Sequence, residues 1–148
     1  MKRNANLLPL VGILIVVSML TGCSASGPVF SRLPEIAPGK AMLVVFWEKG
    51  YNPFLRTVYI DDEKVGSLRY NGYSIIQTTP GPHDICLEHR PLLRCFGLED
   101  RATVDLSAGE AVFVEYNAYP DRNKLRFDKY IHPESALHTL SSGLRLSE

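Results

Sequence analysis

The side chains best suited to chemistry are three cysteines, at positions 23, 86 and 95, and four histidines, at 83, 89, 132 and 138. Cys86 and Cys95 form a natural pair. Arg90-Pro91-Leu92 between them is turn chemistry that would set the two cysteines opposite each other on neighbouring strands. In an oxidising compartment such a pair reads as a disulfide, worth about 2–3 kcal/mol for so short a loop. A metal site built from His83, Cys86, His89 and Cys95 competes with that reading. On a strand, 83 and 89 share a face while 86 points to the other, which opposes convergence on one ion. Asp61, Asp62 and Glu63 form an acidic run, yet they lack the alternating ligands of a calcium loop and read as a solvated turn. No metal and no cofactor is therefore expected. The chain contains no G-x-S-x-G, H-E-x-x-H, P-loop or G-x-G-x-x-G motif. His83 beside Pro82 reads as capping a bend, and no histidine has an evident nucleophile beside it. No catalytic residue is assigned, and a non-enzymatic protein is expected.

The third cysteine sits in a different setting. Lys2 and Arg3 form a basic start, and Leu7 to Leu20 form an apolar run broken by Pro9 and Gly12. The run is shorter than the ~20 residues of a permanent membrane helix and reads as a targeting segment, residues 1–22. It ends in Leu20-Thr21-Gly22-Cys23, which resembles the lipobox of bacterial lipoproteins. Small residues at 21 and 22 suit a narrow peptidase site, and the thiol at 23 is the nucleophile that takes a diacylglyceryl group. The resemblance implies cleavage before Cys23, a lipid on its sulfur, and membrane attachment as the first partner. Acyl chains hold firmly because each buried CH₂ contributes ~0.8 kcal/mol. Ser24 stands where an aspartate would signal retention in the inner membrane. It therefore implies sorting to the outer membrane, facing the periplasm.

Loss of residues 1–22 removes Lys2 and Arg3 and no acid, leaving 14 basic against 16 acidic side chains. That balance does not suit nucleic acid. Residues 23–39 hold Gly27, Pro28, Pro34, Pro38 and Gly39 with Ser24, Ser26 and Ser31. Such a composition reads as a lipidated, flexible tether that lets the head stand off the bilayer.

Residues 40–148 read as one all-β domain. Ala41–Glu48 is an apolar run suited to a central strand covered on both faces. Residues 55–61, 64–70, 73–79, 83–89, 101–107, 111–116 and 124–130 read as further strands, with turns at Asp61-Asp62, Asn71-Gly72, Pro80-Gly81 and Ala108-Gly109. Ala136, Leu137, Leu140 and Leu144 have helical spacing between Pro133 and Gly143 and predict a short C-terminal helix over an open sheet edge. Seven or eight strands at this spacing imply an antiparallel β-sandwich, immunoglobulin-like or transthyretin-like, or a small barrel.

The motifs Val58-Tyr59-Ile60-Asp61, Lys64-Val65-Gly66-Ser67-Leu68, Asn71-Gly72-Tyr73, Pro80-Gly81-Pro82-His83 and Leu106-Ser107-Ala108-Gly109-Glu110 occur in order between Lys40 and Tyr116. Together they resemble domain of unknown function 2846, a family of short bacterial lipoproteins. The family pattern has glycine where Asp62 stands, and arginine-proline where this chain has Trp47-Glu48-Lys49. The resemblance implies an all-β lipoprotein and assigns no catalytic residue.

Trp47, Tyr51 and Phe54 gather in and around one segment. They either cap one end of the sandwich or anchor a protein partner, since aromatic side chains on a loop are common binding anchors. The expected function is a membrane-anchored scaffold or binding module in the envelope. The alternative is an inhibitor or sensor of a soluble periplasmic protein or ligand, presented through Trp47, Tyr51 and Phe54.

Overall fold

The computed structural model describes residues 24–48, 55–88, 101–119, 124–130 and 133–147, and the side chains of all of these except residues 117–119 and 124–130. The architecture follows from β1 (Ala41–Trp47), in which every residue is buried. Alternate side chains of a strand point to opposite faces, so β1 needs an apolar cover on each side. Ala41, Leu43, Val45 and Trp47 face one core, and Met42, Val44 and Phe46 face a second.

Two sheets meet that need. The first has the order β8 (Lys124–Tyr130), β7 (Ala111–Tyr119), β1, β4 (Gly72–Thr78) and β9 (Arg145–Leu146). The second has the order β3 (Glu63–Leu68), β2 (Arg56–Ile60), β5 (Gly81–Glu88) and β6 (Arg101–Leu106). They pack face to face around Leu43, Val45, Val58, Ile60, Ile85, Leu87, Val104 and Val114. The expected β-sandwich is present, with a short C-terminal helix. Most pairs are antiparallel. The exceptions are β1 with β7 and β4 with β9, which run parallel.

Turn chemistry agrees with the sequence at β2–β3. Ile60 pairs with Glu63 across Asp61 and Asp62, whose φ angles are 50° and 66°. Two consecutive positive φ values make the mirror-image turn that matches strand twist, and aspartate tolerates that conformation better than most side chains.

The outer face of the first sheet is covered by α1 (Pro133–Ser141) and by the segment that follows Cys23. Pro133 opens the helix, where its missing N–H costs nothing. Ala136, Leu140 and Leu144 then pack against Val44, Phe46 and Phe113. The helix packs against β7 and the edge strand β8, and its apolar side chains join the outward ones of β1 in one core.

Residues 24–39 are not a free tether. Ser24 forms a β-bridge with Tyr70, and Val29 forms one with Arg145. The backbone N–H of Ala25 donates to Tyr70 O at 3.1 Å, Gly27 to Leu146 O at 3.1 Å and Phe30 to Leu144 O at 2.9 Å, while Leu146 donates back to Pro28 O at 2.9 Å. Phe30 is 8% exposed and meets Tyr73 edge to face at 5.5 Å. Leu33 and Ile36 pack on the same core. Gln77 then clasps the far end, donating to Glu35 O and accepting from Ala37 N, each at 3.0 Å. The glycines serve close approach here. A Cβ on Gly27 would lie 2.6 Å from Leu146 O, and one on Gly72 would lie 2.7 Å from the Ala25 Cβ. Residues 24–39 therefore belong to the folded body, and no boundary falls at residue 40. Among the described residues no helix is long and apolar enough to cross a membrane.

A docked strap and a tether differ in energy. Phe30→Ala should lower the unfolding free energy by about 3 kcal/mol, as for other buried aromatics. Urea unfolding followed by circular dichroism reads this directly. A change under about 0.5 kcal/mol, typical of a surface site, would mean the segment is loose.

Candidate functional site

The strap, β9 and the β3–β4 turn meet at one end of the sandwich. Ser24 Oγ donates to Tyr70 O at 3.3 Å, Arg145 N donates to Asn71 O at 3.2 Å, and Arg145 Nη1 donates to Gly27 O at 3.3 Å. Ser147 closes the junction, its N–H donating to Tyr73 O at 2.8 Å and its hydroxyl accepting from Arg69 N at 3.0 Å. Burial pushes the Tyr73 phenol above its ordinary pKa, so it stays protonated and faces Pro28 O as a donor. This knot fixes the residue that follows Cys23. Cys23 itself lies outside the described residues. Ser24, the expected sorting residue, is exposed and bridged to Tyr70.

Trp47 is at the same end and is 0% exposed. Its ring meets Tyr116 edge to face at 4.9 Å and Tyr70 at 5.9 Å. It shares the inward face of β1 with Leu43 and Val45, so it caps the core and is not an exposed anchor for a partner. Tyr51 and Phe54 lie outside the described residues. Cys86 is buried on the outer face of the second sheet, packed on Tyr59, and Cys95 lies outside the described residues.

Two residues carry charge into the body: Arg56, which sequence reading passed over, and His83, which it read as capping a bend. Arg56 is 1% exposed and shares the inward face of β2 with Val58 and Ile60. His83 is buried at the opposite end, bridging Asp61 Oδ2 through Nδ1 at 2.6 Å and Thr79 O through Nε2 at 2.8 Å. Carboxylate and carbonyl oxygens only accept, so both ring nitrogens must carry protons. The Asp61 hydrogen bond raises the His83 pKa above its ordinary value against the opposing effect of burial. The His83 hydrogen bond, with the Asp84 N–H at 3.0 Å, lowers that of Asp61. His83 therefore clamps the β2–β3 turn to the end of β4 and is committed to structure.

The outer face of the second sheet is polar. Tyr59 donates to Glu88 at 3.0 Å, Thr103 to Asp84 at 2.7 Å, and Arg101 reaches Asp62 at 3.4 Å. The exposed Arg101–Asp62 pair contributes little to stability. A groove of about 610 Å³ runs between the strap and α1, with Phe30, Leu33 and Leu137 in its wall and Arg32, Glu134 and His138 at its rim. Among the described residues no group of three or more His, Cys, Asp or Glu side chains is placed to hold a metal ion.

Comparison of the chain with protein-family models, with curated proteins and with solved structures finds no match. The resemblance to domain of unknown function 2846 therefore rests on the spaced motifs alone.

The clamp predicts a pH dependence. His83 has a raised pKa in the folded state, so its contribution is full below the unfolded value of about 6.5 and is lost as pH rises through the folded value. Asp61 has a lowered pKa, so its contribution is present above about 3.9 and is lost as pH falls through the folded value. The wild type should melt at a lower temperature at alkaline pH than near pH 6, and His83→Gln should flatten that slope. Parallel melting profiles for the two proteins would contradict an ionised His83.

Proposed function

We propose that the protein is a lipid-anchored envelope lipoprotein whose β-sandwich head acts as a non-enzymatic scaffold or binding module. The single observation that carries this is the order of segments around Cys23. A basic start, an apolar run of targeting length and Leu20-Thr21-Gly22-Cys23 end directly against Ser24, which is already bridged to Tyr70 of the folded body. Cleavage at Gly22 would leave almost no spare chain between lipid and head.

Ser24 supports the outer membrane, facing the periplasm, as the destination. A Cys86–Cys95 disulfide belongs to the same reading. The oxidising compartment of that reading supports it. The partner is a protein of the envelope. Its contact surface is not the Trp47 ring, which the core consumes.

Growth with labelled palmitate tests the anchor. The wild type should take up label and fractionate with membranes, and Cys23→Ser should remain unlabelled and become soluble. An unlabelled wild type, or a Cys23→Ser protein that fractionates as before, would overturn the reading.

A further inference from the structure

We propose that the end of the sandwich bearing Tyr70, Asn71 and Arg145 rests directly on the phospholipid headgroup layer, held there by the docked strap. The proposal builds on the lipid-anchored reading of Cys23 and adds the orientation of the head and the surface it presents to lipid.

The argument is one of chain length. Consecutive Cα atoms are about 3.8 Å apart, so Cys23 lies one such step from Ser24. Ser24 is bridged to Tyr70, and the next residue donates its N–H to Tyr70 O at 3.1 Å. A lipid on Cys23 therefore enters the bilayer within about two residue lengths of the β3–β4 turn. Were residues 24–39 a flexible coil, their 16 positions would give an r.m.s. span of roughly 20–24 Å, enough to lift the head clear of the headgroups. The backbone bonds of Ala25, Gly27 and Phe30 remove that freedom.

The chemistry at this end suits such contact. Arg145 is exposed beside Asn71, and its guanidinium, which donates to Gly27 O at 3.3 Å, lies at the anchor point. Guanidinium is well matched to lipid phosphate. Charge alone does not choose this end, because Glu48 and Glu88 follow or close β1 and β5 nearby. The covalent tie sets the orientation. The opposite end, with the Asp61-Asp62 turn, the His83 clamp and the Ser107–Glu110 turn, then faces away from the membrane.

The chain contains a natural reporter. Trp47 is its single tryptophan, and the ring lies 5.9 Å from that of Tyr70. The lipidated protein is reconstituted into phosphatidylethanolamine–phosphatidylglycerol vesicles carrying a trace of dansyl-headgroup lipid, and energy transfer from Trp47 to dansyl is measured. The companion protein carries an inserted Gly/Ser segment between Ser24 and Ala25. A segment of about 16 residues leaves the strap seated from Ala25 onward and adds roughly 20–24 Å of reach. The wild type should show strong transfer, and the insertion should lower it severalfold. Equally strong transfer in both would mean the body adheres to lipid without the strap, and equally weak transfer would mean the head already stands off. Either result overturns the proposal while leaving the anchor intact. A wild-type protein that fails to float with the vesicles would overturn the anchor, and this proposal with it.

Discussion

β1 has no polar face, and the rest of the architecture answers to that constraint. Seven consecutive buried residues, from Ala41 to Trp47, present apolar side chains alternately to both sides of the first sheet. Burial of apolar area is the dominant favourable contribution to folding, so each side must find a cover. The second sheet covers one side. The other side is too broad for α1, whose nine residues contribute only Ala136 and Leu140 as buried side chains. Phe30, Leu33 and Ile36 of the strap complete the cover. A chain segment that must shield a core cannot also be a free spacer.

That demand ties the residues after Cys23 to the fold. The residues just after Cys23 run alongside β9 and the β3–β4 turn, and the N–H groups of Ala25, Gly27 and Phe30 are spent on Tyr70, Leu146 and Leu144. Gly27 and Gly72 stand where a Cβ would collide with the facing chain. In this fold glycine makes close packing possible, and the same residue type in a disordered linker would do the opposite. The strap and the head then form one unit.

Much of the sandwich was legible. The AMLVVFWE run announced a strand covered on both sides, the Asp61-Asp62 pair announced a tight turn, and the spacing of Ala136 and Leu140 announced the helix, with a stop near Gly143. The inward position of Trp47 could also have been read, because it continues the Ala41, Leu43, Val45 alternation. The same parity places Arg56 with Val58 and Ile60. The strap was less legible. Its hydrogen bonds are made by backbone groups, which leave no mark on residue type, and its prolines and glycines mimic a linker. Phe30, Leu33 and Ile36, spaced three apart, were the available signal. The His83–Asp61 contact spans 22 positions and depends on β5 lying beside β2, so local pattern could not reveal it. The parallel β1–β7 pair likewise depends on which distant strand takes the empty edge.

Amide hydrogen exchange tests the seating of the strap most directly. The N–H groups of Ala25, Gly27 and Phe30 should exchange slowly, with protection comparable to that of Leu146 in β9, because each is bonded to the body. Exchange of those three amides at the rate of an unstructured chain, with Leu146 still protected, would contradict the account.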